Sequence, residues 1–156
     1  MIEAATNAEI SRLLLDYATF LDDSRFGDWV ELFTPDASYE LITKENVAQG
    51  LPAALILCED KGAIMDRVDS LQIIKYNIHF SRHVLSMSRI DAAAGESFSA
   101  QTSFAVYQTS QEGVSELFCC GSYEDEIVYL EGRPRFRKKR VIIDTAAIPT
   151  LVAIPI

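Results

Sequence analysis

Apolar residues recur three and four positions apart through Ile10, Leu13, Leu14, Tyr17 and Leu21, a spacing that aligns them on one face of a helix. Thr6 stands ahead of that run as an N-cap, with Glu9 three residues later completing a capping box. A second, shorter helix is expected within "DDSRFGDWVELFTPDA", where Phe26, Trp29, Leu32 and Phe33 make the apolar face and the Thr34-Pro35-Asp36 turn ends it. "SYELI" then reads as a short strand. A polar connection from Lys44 to Gly50 leads to "PAALILC", a second apolar strand. In "EDKGAIMDRVDSLQII", Asp60 is a plausible cap; Ile64, Val68, Leu71 and Lys75 share a face with Met65 and Gln72 beside it, which predicts a third helix.

From Arg82 onward the pattern becomes extended. Four long segments, Arg82 to Asp91, Phe98 to Thr109, Ser115 to Leu130 and Arg135 to Asp144, are separated by "AAAGE", "QEG" and "EGRP", which hold the glycines and proline that hairpin connections need. Helices first and antiparallel strands afterward predict an α+β fold, the helices covering one face of a curved sheet. No internal repeat or linker divides residues 1–156, so one domain is expected.

Charge narrows the partners. Acidic residues outnumber basic ones 23 to 14, for a formal charge of −9, which disfavours a nucleic acid or an anionic membrane as the main partner. The N-terminal "MIEAATNAEI" is acidic where a secretory signal is basic, and no apolar run reaches the roughly 18 residues of a membrane span. A cytoplasmic protein is expected. Cys58, Cys119 and Cys120 lack C-x-x-C spacing and read as free thiols.

Both histidines, His79 and His83, lie in "NIHFSRHVLS". Their i, i+4 spacing resembles a zinc-protease helix, but Phe80 stands where that motif has glutamate. In a strand the two rings are about 13 Å apart, at roughly 3.3 Å per residue, too far for metal–nitrogen bonds of about 2.1 Å. A Rieske cluster takes two histidines and a non-haem iron facial triad two more; this chain has only two in all. No metal or cofactor site is therefore expected in this chain. Dinucleotide, P-loop and nucleophile-elbow motifs are missing as well.

"RPRFRKKR", Arg133 to Arg140, packs six cations into eight residues. With a two-residue turn at Glu131-Gly132, the facing pairs are Glu126 with Arg137, Asp125 with Lys138 and Glu124 with Lys139, and a slip of one residue still sets acid near base. Such pairs help select register, and the ribbon also suits a protein interface. The tail "VIIDTAAIPTLVAIPI" carries one charge, Asp144; left uncovered it is an aggregation hazard, so it either folds over its own core or lies in a subunit contact.

"LLLDYATFLDDSRFGDWVELFTPDASYEL", with "DRVDSL" and "SRHVLSMSRI", resembles the small or β subunit of aromatic-ring-hydroxylating (Rieske non-haem iron) dioxygenases, from about Glu9 to the C-terminus. These belong to the superfamily of ketosteroid isomerase, scytalone dehydratase and nuclear transport factor 2. The resemblance implies a cone-like α+β fold and a structural, non-catalytic role. It also implies a larger α subunit holding the [2Fe–2S] Rieske cluster and the mononuclear Fe(II), with other β subunits in an α3β3 assembly. "AQGLPAALILCEDKGAIMDRVDSL" is most similar to small subunits serving aromatic carboxylates. Arg82, Arg137, Arg140, Leu151 and Ile154 are the expected subunit contacts.

Two other readings stay open. A stand-alone isomerase, dehydratase or cyclase of this fold would use Tyr17, Asp22 and His83, with Trp29 beside them, for acid–base work in a cavity. A binding module would hold an open apolar pocket without them. Against the first, Tyr17 lies on the apolar stripe and Trp29 reads as a packing anchor, while Asp22 and Asp23 suit a helix boundary. Arg82 serves either an ion pair or interface, or a buried structural role.

Overall fold

In the computed structural model, residues 1–73, 80–144 and 155–156 are described. Helix α1 (Ala4–Asp22) buries Ile10, Leu13, Leu14, Tyr17, Ala18 and Leu21, the stripe its spacing predicts. It begins earlier than the capping box implies: Glu3 is the N-cap and makes no side-chain cap bond, so Thr6 lies inside the first turn. Short α2 (Phe26–Val30) follows, burying Trp29 and Val30.

The expected stop at Thr34-Pro35-Asp36 is instead part of strand β1 (Phe33–Thr43). Pairing with the last strand jumps there from Phe33 opposite Phe136 to Ser38 opposite Lys138. Proline cannot donate to a ladder, so the chain absorbs it in this irregular stretch. The polar connection contains helix α3 (Lys44–Ala48), whose first turn is capped by Thr43 Oγ1 accepting from the Asn46 N–H. Strand β2 (Ile56–Cys58) leads to α4 (Lys61–Ile73), where Asp60 accepts from the Ala63 N–H at 2.8 Å, the cap expected of it. Ile64 and Val68 are buried as their spacing predicts; Lys75 and His79 lie outside the described residues.

The remaining strands are β3 (Phe80–Leu85), β4 (Arg89–Ala93), β5 (Ser97–Thr109), β6 (Ser115–Leu130) and β7 (Arg133–Ile143). They form a sheet in the order β2-β1-β7-β6-β5-β3, with β4 also on β5; β1 and β7 run parallel and the other pairs antiparallel. The segment expected as one strand from Arg82 to Asp91 is thus two. Leu85 faces Phe104 whereas Arg89 faces Gln101, one extra residue, and Ser86 bridges the break by hydrogen bonds to both main-chain groups of Ser103.

At the β6–β7 turn, Glu131 and Gly132 both have positive φ, 53° and 74°, the two-residue hairpin geometry expected of them. Farther along, Ile127 pairs with Phe136 but Glu126 pairs with Lys138, so Arg137 is a bulge. Asp125 therefore faces Lys139 and Glu124 faces Arg140, one place from the expected pairs. Beyond them Gly121 sits against β7 so closely that a Cβ there would lie 1.9 Å from the Ile142 carbonyl oxygen.

Candidate functional site

The helices and the concave face of the sheet enclose a core dominated by rings. Tyr17 lies 5.7 Å from Trp29, 5.5 Å from Tyr123 and 5.6 Å from Phe136, centroid to centroid. Phe104 stacks on Tyr123 at 4.3 Å, and Trp29 meets Phe33 and Tyr39 edge-on. All seven are buried. Edge-to-face and offset contacts of this kind add to the area each ring buries.

Into this cluster the bulge at Arg137 turns Lys139, which is fully buried. Its ammonium lies 3.6 Å from the Tyr123 ring centre and 4.0 Å from that of Tyr17, and donates to Asp125 Oδ2 at 3.0 Å. Burial, opposed by the attraction between the two, pushes the Asp125 carboxyl up to about 6 and the Lys139 ammonium down to about 8. Sequence reasoning paired Lys139 with Glu124 rather than with Asp125. The missed signal is parity: Phe136 is even, Val141 and Ile143 are odd, and all three face the core, which requires one extra residue between them.

A second polar pair joins α1 to β3. His83 Nδ1 lies 2.6 Å from Asp22 Oδ1, and the His83 main-chain N–H donates to Asp22 Oδ2 at 2.9 Å. Both side chains are almost wholly buried, at 3% and 7% exposure. With Nδ1–H directed at the carboxylate, Nε2 is the remaining ring nitrogen, buried and without a hydrogen-bond partner among the described residues. Trp29 Nε1, Tyr123 Oη and Asp125 Oδ1 share that condition.

Of the three residues expected for acid–base work, Asp22 and His83 are therefore brought together. Tyr17 is not part of that pair. Its hydroxyl donates to the main-chain oxygen of Ile156 at 2.6 Å, and burial holds its pKa well above the usual phenol value. Among the described residues no group of three or more His, Cys, Asp or Glu side chains is placed to hold a metal ion, and His83 commits one ring nitrogen to Asp22. The cysteines are free thiols, with Cys119 pushed up to about 12 by burial.

On the opposite face of the sheet lies an open groove of about 620 Å³, lined by Arg89, Asp91, Gln101, Glu124, Lys138 and Arg140. Its charges are largely paired within the chain. Arg140 reaches Glu40 at 3.1 Å and Glu124 at 3.7 Å, and Arg137 pairs with Glu126. Arg82, exposed on β3, makes no ion pair among the described residues. Leu151 and Ile154 lie outside the described residues.

Comparison with known proteins decides the family. Residues 3–140 match the SnoaL-like domain. The chain is 36% identical over 149 residues, 95% of its length and 92% of the relative's, to the anthranilate 1,2-dioxygenase small subunit of Burkholderia cepacia. The chain belongs to the small-subunit family of aromatic-ring-hydroxylating dioxygenases. A second relative in that family, the β 1 subunit of the terephthalate 1,2-dioxygenase terminal oxygenase component from Comamonas sp., is 28% identical, covering 90% of this chain and 92% of its own. A crystal structure described as the β subunit of an aromatic-ring-hydroxylating dioxygenase from Novosphingobium aromaticivorans superposes with a TM-score of 0.88 at 36% identity, covering 97% of each chain. The small-subunit fold is thus the expected curved, unclosed sheet with N-terminal helices. No helix among the described residues is long and apolar enough to cross a membrane.

Proposed function

We propose that this chain is the structural β subunit of a Rieske non-haem iron oxygenase that hydroxylates an aromatic carboxylate during aromatic catabolism in the cytoplasm. Its residues 1–156 act as one nuclear transport factor 2-like domain. The larger α subunit supplies the [2Fe–2S] cluster and the mononuclear Fe(II), and α and β assemble as α3β3. The observation that carries this reading is the packing of the core: the rings of Tyr17, Trp29, Phe104, Tyr123 and Phe136 and the Asp125–Lys139 pair are buried against one another between the helices and the sheet, whereas a catalytic site needs a concave pocket open to its substrate. The relatives point the same way, since each is a small or β component of a dioxygenase system. Arg82, Arg137, Arg140, Leu151 and Ile154 contribute to subunit contacts.

Co-expression with a Rieske-containing α subunit tests the proposal. The two chains are expected to co-purify in equal amounts, with iron and turnover only in the complex. Stoichiometric iron bound to the β chain alone, or a chain indifferent to such a partner, would overturn it. One observation favours a second reading: the buried Asp22–His83 pair, with Nε2 unpartnered, has the composition of an acid–base dyad. That reading requires pH-dependent turnover by the isolated chain that disappears in His83→Ala and Asp22→Asn.

A further inference from the structure

Ile156 is held in a way that hydrophobic packing alone does not require. Its side chain is buried, at 3% exposure, within the ring-lined core, and Pro155 before it is buried too. Two phenols converge on its main-chain oxygen, Tyr17 Oη donating at 2.6 Å and Tyr39 Oη at 3.2 Å. The Ile156 N–H in turn donates to Tyr39 Oη at 3.0 Å. One residue is thus recognised through its carbonyl oxygen, its N–H and its branched side chain together, the complement of contacts that a peptide-binding pocket makes to an anchor residue.

The two tyrosines come from different elements, α1 and β1, and both are buried to 1% exposure or less. Phenolic hydroxyls at such depth need partners. What these two find is a segment 117 and 139 residues distant in sequence, and nothing in the helix or the strand depends on it for its own backbone bonding. The seat and its occupant are therefore separable in principle: the seat is built by α1 and β1, and residues 155–156 enter it as a ligand would.

We propose that the Tyr17–Tyr39 seat is a binding site for an apolar peptide segment, one that presents a main-chain oxygen and an N–H on a branched aliphatic residue, and that Pro155–Ile156 fills it in cis. A chain cut after Ile154 exposes the seat to the same chemistry supplied in trans. The proposal is independent of whether the chain works in an oxygenase, because it concerns only the chain's own elements.

The probe is the peptide acetyl-Ala-Ile-Pro-Ile, which repeats residues 153–156. Trp29 reports on it, since its ring centre lies 5.7 Å from Tyr17 and 5.8 Å from Tyr39. The cut chain is expected to melt about 5 °C or more below the full chain, to bind the peptide saturably at one site, and to regain most of the lost melting temperature on doing so. The full chain, its seat taken, should show no such binding. Tyr39→Phe in the cut chain should weaken the peptide roughly fivefold or more, the loss of one hydrogen-bonding hydroxyl. A folded cut chain that ignores the peptide, a full chain that binds it equally well, or a cut chain that melts unchanged would each overturn the proposal. Should the cut chain fail to fold alone, refolding with the peptide present must recover it, and failure to do so counts against the seat as well.

Discussion

Two buried carboxylates, Asp22 and Asp125, face cationic or cation-forming partners across the same core, yet they are satisfied very differently. Asp22 receives a ring N–H and a main-chain N–H from the same residue, His83, so one carboxylate ties the end of α1 to the backbone of an edge strand. Asp125 receives a single ammonium, and its other oxygen has no partner among the described residues. Burial there outweighs what one ion pair returns, and both members are driven toward neutrality. The contrast teaches that the number of donors reaching a buried acid matters more than the formal charge of its partner.

The largest expected effect comes from removing one member of the deeper pair. Lys139→Met strips Asp125 of its counter-ion among the rings, so that its carboxyl must be buried unpaired or take up a proton, and should lower unfolding free energy by about 3–5 kcal/mol in a urea titration. The double change Asp125→Leu with Lys139→Met should recover much of that loss. If the single and double variants are equally unstable, the pair is worth more than its desolvation cost and the contrast with Asp22 fails.

Asp22→Ala is expected to be milder, about 1–3 kcal/mol, the cost of leaving the His83 main-chain N–H and ring N–H without their acceptor. Hydrogen exchange at the His83 amide should accelerate more than at core amides of β6. A smaller change again follows pH between about 6 and 4. The folded-state pKa of Asp125, about 6, lies above the ordinary carboxyl value of 3.8, so the stability that protonation contributes is fully present below the unfolded value and is lost as pH rises through 6. The wild type should therefore gain on Asp125→Asn as pH falls across that window. Smallest of all, Glu126→Gln at the exposed Arg137 pair should leave the melting temperature unchanged within error, as solvent-screened pairs usually do.

Where periodicity is undisturbed, the chain announces its elements: the stripe of α1, the Asp60 cap of α4 and the Glu131-Gly132 turn are where apolar spacing and turn chemistry put them. Departures cluster at irregularities. Pro35 reads as a stop and is absorbed in a strand; Arg82 to Asp91 reads as continuous and contains an extra residue. Charge pairing could not select the β6–β7 register because every nearby register sets acid against base, whereas the parity of Phe136 and Val141 does select it. The Asp22–His83 bond joins residues 61 apart, and neither residue carries a local sign of the other. Tyr17 and Trp29 read correctly as packing residues, but the hydroxyl of Tyr17 meets Ile156, 139 residues away, a contact that local pattern does not encode.

The contact between Gly121 and the Ile142 carbonyl reaches beyond its own two strands. Wherever a methyl group is refused by a main-chain atom rather than by a movable side chain, the strands around it have no slack to share, so β6 and β7 are creased together at that point. Gly121→Ala could be housed only by prying them apart, which disturbs Phe104, directly opposite Gly121 on β5, and the Tyr123 ring stacked on it. The placing of one stacked ring pair is thereby tied to a position that contributes no side chain to the core.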